Sequence, residues 1–274
     1  AATAAYGIAE IVEENMASAA RVHAVERGKS LEGRVMIAFG GAAPLHAARV
    51  AEKVGIGEVI IPSSAGVGSA VGFLRAPIAF ERVRSLYIRL GAFDAEAVNA
   101  AVTALVEEAT AEVRRGAPDA PLAATLTADM RYRGQGHEVV VPLALEPFRP
   151  EHAETVRAAF EERYATLYGR TIPGLDIELL TWTVSVSTTS SEVRRVGTAG
   201  ASATVEPVGS REIHDAAEER FVTVPLYARA ALEPGARVSG PAVIAEAQTT
   251  TIVTRAFDAT VDAAGNLRLT RKER

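Results

Sequence analysis

RVMIAFGGAAPLHAARVAEKVGIGEVIIPSSAGVGSAVGFL, residues 34–74, decides how the chain is read. The apolar run Val35 to Phe39 has the length and β-branched content of a buried strand and stops at Gly40 and Gly41. Pro44 follows where the first turn of a helix accepts proline, so a helix is expected over Pro44–Val54, ended by Gly55-Ile56-Gly57. A second strand is expected over Glu58–Ile61. Past Pro62 comes a helix of small residues, with Ala65, Gly66, Gly68, Ala70 and Gly72. Two glycines between a buried strand and a helix N-terminus let the backbone pass close to a ligand with free N–H groups outward. The same glycines also serve a tight turn with no ligand.

The order resembles the adenosine-binding end of the actin-like ATPases, in which a double glycine after a strand lies beside the adenosine. The wording is closer to one branch. GGAAPLHA (40–47), IIPSSAGVGSAVGFL (60–74), ENMASAARVHAVERG (14–28), MRYRGQGHEV (130–139) and GPAVIAEAQTTTIV (240–253) resemble the hydantoinase A/oxoprolinase family over nearly the whole chain. The family commonly writes GGAGP, and Ala43 departs from it. Alanine there would be strained if the position needs φ > 0.

Composition narrows the classes. The 274 residues suffice for two or three modest cores. A net charge of −5 with no basic stripe argues against a nucleic-acid partner. The absence of cysteine excludes disulfides and thiolate metal sites. No apolar stretch approaches the roughly 18 residues of a membrane span, and a cytoplasmic protein is expected.

Three segments follow along the chain. Residues 1–76 form the α/β segment and open with a helix. Its stripe Ile8, Ile11, Val12, Met16, Ala19 and Ala20 is expected to be buried, with Glu10, Glu13, Glu14 and Arg21 opposite or beside it. Asn15, His23 and Glu26 fall on or beside that stripe, where they would need partners or approach a cleft. Residues 77–190 read as βαββαβ, a ferredoxin-like split unit: strand 81–90, helix 94–115, strands 125–133 and 137–143, helix 150–168 and strand 176–187. The apolar phase of the last strand switches between Leu179 and Trp182, which predicts a bulge or bend. Residues 191–274 read as a linker, Gly197 to Gly209, and a β-rich C-terminal domain. The expected fold class is therefore α/β plus α+β: the C-terminal piece of an actin-like ATPase domain, the ferredoxin-like segment, and a small β domain.

Site candidates are few. His46 stands on the first turn after the double glycine and could contact a ligand, cap the helix or pack. Arg131, Arg133 and His137 could bind an anion at a hairpin tip or form a charged hairpin that fixes an interface. His152 and His214 read as surface residues. The five histidines show no metal spacing. No GxSxG elbow or cysteine nucleophile is present.

The family resemblance implies more. It implies an A-type subunit that uses ATP to activate a cyclic amide or related carbonyl, with a B-type subunit as partner. Gly40, Gly41, Ala42 and His46 would lie on the adenosine side of the cleft. It also implies an N-terminal part ahead of Ala1 that carries the first phosphate-binding loop and the Mg²⁺ ligands, so the chain is expected to be inactive alone. ATP-dependent acetone and acetophenone carboxylases share the A-type subunit, which leaves hydrolase and carboxylase both open. A non-catalytic docking piece is a third reading.

Overall fold

The structure, a computed structural model, describes residues 2–189 and 205–273. Two compact units are present: residues 1–75 with 193–274, and residues 76–192.

In the first unit the helix α1 (Ala2–Glu26) precedes the short strand β1 (Val35–Ile37), α2 (Ala43–Val54), β2 (Glu58–Ile61) and, after a 3-10 turn, α3 (Gly68–Arg75). β1 is two residues shorter than the apolar run, because the chain leaves the sheet after Ala38, and Phe39 is more than half exposed. Gly55 closes α2 in the left-handed region at φ 76°, its N–H reaching the last carbonyls.

The C-terminal segment is not a separate domain, contrary to expectation. Numbering the strands along the chain, it supplies β7 (Gly209–Asp215), β8 (Arg220–Ala228), β9 (Arg237–Ser239), β10 (Ala242–Ala245), β11 (Thr250–Val253), β12 (Phe257–Val261) and β13 (Leu267–Arg271). β13 pairs antiparallel with β2, Leu267 opposite Ile61 and Leu269 opposite Val59, to give a five-stranded sheet in the order β1-β2-β13-β12-β9. The physical reason is that two short parallel strands cannot bury both faces by themselves. Ile61, Val59, Ala47 and Ala51 share one core with Val253, Phe257, Ala259 and Leu269. A second sheet runs β11-β10-β8-β7. Of the expected linker, residues 197–204 lie outside the described residues, and β7 begins at Gly209.

The polarity of α1 is the reverse of the expected one. Its buried positions are Glu13, Ala17 and Ala24, while Ile8, Ile11, Val12 and Met16 are exposed. The helix docks on α2 through charge: Glu10 accepts from Arg49 Nε at 2.9 Å and from Lys53 Nζ at 2.8 Å. Arg21 donates to the Lys53 carbonyl at 2.6 Å. Asn15, His23 and Glu26 are exposed and need no buried partner.

The second unit has the expected element order: β3 (Ala79–Arg89), α4 (Ala95–Gly116), β4 (Leu122–Tyr132), β5 (Val139–Leu143), α5 (Ala153–Tyr168) and β6 (Ile177–Thr188). Asp94 caps α4 by accepting from the Ala97 N–H at 2.9 Å. The sheet order β3-β6-β4-β5 is not the ferredoxin-like one, which places the first and third strands in the middle. Here the second and fourth, β4 and β6, are central. They carry the fully buried Leu126, Met130, Tyr132, Leu179 and Trp182, whereas β3 (AFERVRSLYIR) is charged enough to serve as an edge. The bulge on β6 falls at Leu180, which is skipped between the pairs Asp129–Thr181 and Met130–Leu179. Among the described residues no helix is long and apolar enough to cross a membrane.

Candidate functional site

The glycine turn is fixed by two distant parts of the chain. Gly40 sits at φ 110°, a region that only glycine enters freely, and its N–H donates to the Ala65 carbonyl at 2.7 Å. The Gly41 carbonyl accepts from the Thr249 hydroxyl at 2.8 Å, and Thr249 is buried. Between these anchors, Gly41 and Ala42 are exposed. Ala42 occupies the N-cap of α2 with no side chain to cap it; Pro44 has no N–H and the Leu45 N–H donates to the Ala42 carbonyl at 3.1 Å, so of the first helical amides Ala43 alone is left as a donor. Ala43 is the first helical residue and lies outside the positive-φ residues, so the departure from GGAGP carries no strain.

Small residues are needed beneath the turn for a steric reason. A Cβ on Gly66 would lie 2.5 Å from Gln248 Cβ and 2.8 Å from its carbonyl oxygen. A Cβ on Gly68 would press on the Phe39 ring at 3.2 Å. The 248–249 segment thus reaches Gly41 only because position 66 has no side chain. Nothing in the sequence marks Gln248 and Thr249 individually. They lie inside the block 240–253 that carries the family resemblance.

His46 is drawn elsewhere. Its Nδ1 lies 3.0 Å from Glu13 Oε1, and it lines a cavity whose walls include none of Gly40, Gly41 and Ala42. Behind it runs the α1–α2 charge network. Burial raises the Glu10 carboxyl, but hydrogen bonds from Arg49 and Lys53 outweigh that and bring it down to about 2. The Glu10 hydrogen bond, in turn, raises Lys53. His214, expected at the surface, is half-buried and stacks on Tyr6 with ring centroids 3.5 Å apart.

In the second unit the hairpin arginine is already engaged. Arg131 donates to Glu178 at 2.9 Å and to Glu138 at 3.2 Å, so its charge is neutralised within the sheet. His137 and Arg133 are exposed. Among the described residues no group of three or more His, Asp and Glu side chains could hold a metal ion.

Comparison with known proteins agrees with the five sequence blocks. Residues 1–82 match the model of the hydantoinase/oxoprolinase domain, and residues 91–271 match that of the hydantoinase/oxoprolinase C-terminal domain. The chain is 28% identical over 273 residues to the caprolactamase subunit alpha of Pseudomonas jessenii, covering 97% of this chain and 39% of that protein. It is 29% identical over 256 residues to the acetophenone carboxylase gamma subunit of Aromatoleum aromaticum, covering 89% of this chain and 35% of that protein. The crystal structure of the ATP-dependent caprolactamase from Pseudomonas jessenii superimposes with a TM-score of 0.74 at 27% identity, over 99% of this chain and 40% of that one. The chain therefore spans about two-fifths of the length of these relatives, and it belongs to the hydantoinase/oxoprolinase family.

Proposed function

We propose that this chain supplies the adenosine side of the ATP cleft in an ATP-dependent amide hydrolase of the hydantoinase/oxoprolinase type, through Gly40, Gly41 and Ala42. The observation that carries the reading is the exposed turn itself, pinned at Gly40 by Ala65 and at Gly41 by Thr249 while the Ala42 and Ala43 amides have no partner among the described residues. Backbone donors at a helix N-terminus, with no side chain between them and solvent, fit a nucleotide approaching closely. Phe39 adds an exposed aromatic face beside them. His46 is a structural partner of Glu13 in this reading rather than an adenosine contact.

ATP would supply a phosphoryl group that makes a poor electrophile, an amide carbonyl, a better one. The Mg²⁺ and phosphate ligands would come from outside the described residues, from an N-terminal part of the A-type subunit. A B-type subunit would act with it on a cyclic amide. The likeness to the acetophenone carboxylase gamma subunit supports a second reading, in which the same cleft serves a carboxylase.

The test is ATP titration and phosphate release, on the chain alone and on the chain joined to an A-type N-terminal part. The expected result is no turnover by the chain alone and ATP-dependent turnover by the joined protein. Robust turnover by the isolated chain would defeat the division of the site. Absence of ATP binding by the joined protein would leave the docking-piece reading in its place.

A further inference from the structure

The apolar run Val35 to Phe39 is continuous rather than alternating, the pattern of a parallel strand buried on both faces between two layers. In the structure only one face of it is covered. Met36 and Ala38 belong to the core shared with α2 and the C-terminal strands. Val35 and Ile37, on the opposite face, are exposed, Ile37 by 62%. Ile60 stands opposite Ile37 in β2 and extends the same apolar strip. α3 begins beside this strip, where Gly68 abuts the Phe39 ring, and it buries no residue: Phe73 is 84% exposed and Leu74 83%.

The backbone of β1 is open as well. β1 ends the five-stranded sheet, and among the described residues β2 is its only strand neighbour. The Ala38 N–H donates to the Ile60 carbonyl at 2.9 Å, so the backbone groups of Met36 and Ala38 face β2. Direction alternates along a strand, and the N–H and C=O of Val35 and Ile37 therefore point away from β2, to the free edge. Shortness apart, β1 has none of the devices that keep an edge from pairing: no lysine, proline or bulge interrupts Val35–Ile37. A bare apolar face and an unguarded edge on one strand suit the addition of another strand.

We propose that a strand from the N-terminal part of the A-type subunit pairs with this edge, through the N–H and C=O of Val35 and Ile37, and continues the sheet beyond β1. Most of the length of the caprolactamase subunit alpha lies outside the part that this chain matches, which leaves ample chain to supply the strand. A second copy pairing β1 with β1 would join two three-residue strands, too few bonds to hold two molecules together. The strand pairing depends on the A-type N-terminal part of the proposed function, not on its nucleotide.

The experiment is residue-resolved amide hydrogen exchange on the chain alone, on the chain joined to an A-type N-terminal part, and on the two parts mixed. In the chain alone, monomeric by sedimentation, Ile37 is expected to exchange freely while Ala38 is protected. In the joined or mixed protein, exchange at Val35 and Ile37 should slow by about a hundredfold or more. Ile37→Lys alters an exposed side chain and should leave the melting temperature of the chain alone unchanged. In the joined protein the same variant should return exchange at Val35 and residue 37 toward the free rate. Equally fast exchange at Ile37 in all three samples, slow exchange there in the monomeric chain, or a dimer of the chain that protects it would each overturn the proposal. ATP turnover by the joined protein with Ile37 unprotected would overturn the strand pairing and leave the nucleotide reading standing. Protection of Ile37 without ATP binding would do the reverse.

Discussion

The Thr249 hydroxyl donates to the Gly41 carbonyl at 2.8 Å across 208 positions of sequence, and this bond ties the C-terminal segment to the glycine turn. Its other support is Ala65, which accepts from Gly40. Removing the hydroxyl while keeping the shape should cost about 1 kcal/mol, the net worth of a neutral hydrogen bond. Thr249→Val is therefore expected to lower the urea midpoint slightly and to speed amide exchange over residues 39–43. Thr249→Ser should restore both. Unchanged exchange in the valine variant would mean that the turn is held without Thr249.

Gly66 makes that contact possible, and any side chain there meets backbone that has nowhere to go. Gly66→Ala places a methyl 2.8 Å from the Gln248 carbonyl oxygen, a distance at which one segment must shift. The expected loss is about 1–3 kcal/mol, as for overpacking elsewhere. A melting temperature equal to the parent's would show that the 248–249 segment yields freely.

The α1–α2 contact predicts a pH dependence whose sign follows from Glu10. Its folded pKa of about 2 lies below the ordinary value of 4.5, so the contribution is full above about pH 5 and is lost as pH falls through 2. Screening by solvent at this partly exposed pair reduces the contribution at neutral pH to about 1 kcal/mol. In Glu10→Gln that contribution is absent at every pH. The stability gap between parent and variant, measured by urea unfolding at pH 7, 5 and 3.5, should narrow on acidification. A gap independent of pH would refute the pairing with Arg49 and Lys53.

The reversed polarity of α1 is testable by substitution on both faces. Ile11→Lys alters a residue 63% exposed and should change stability by no more than about 0.5 kcal/mol. Ala17 is fully buried, and Ala17→Leu should cost about 1–3 kcal/mol by overpacking. The opposite ranking would restore the apolar stripe as the buried face.

These contrasts show where sequence reading succeeds on this chain and where it stops. The strand, glycine turn, helix and strand of 34–61 are legible because each boundary has a local cause: Gly40 at positive φ, Pro44 in the first turn, Gly55 at the left-handed cap. The βαββαβ order and the Leu180 bulge are legible from periodicity and its break. The pairing of β2 with β13 is not, because nothing at Ile61 or Leu267 names the other. A helical wheel likewise finds two faces on α1 without saying which meets α2. There the matching charges of Glu10, Arg49 and Lys53 prevailed over the apolar stripe. Gln248 and Thr249 act through backbone proximity, which leaves no periodic or compositional trace.

The two glycines of the turn should respond differently, and the difference bears on the nucleotide reading. Gly40 needs its φ of 110°, so Gly40→Val should destabilise the fold itself, by about 1 kcal/mol or more of backbone strain. Gly41 lies outside the positive-φ region, and a Cβ there would meet only the Gln248 carbonyl oxygen at an ordinary 3.7 Å. The protein's own packing therefore leaves room for a side chain at 41. Gly41→Val should fold with little loss of stability, yet its branched side chain would occupy the space in which a nucleotide approaches the backbone. In the chain joined to an A-type N-terminal part, ATP affinity should fall about thirtyfold or more, equivalent to about 2 kcal/mol. Calorimetric titration at a temperature where parent and variant are both folded measures this directly. Unchanged affinity would make Gly41 a turn residue only, and the adenosine assignment of Gly40–Ala42 would fall with it.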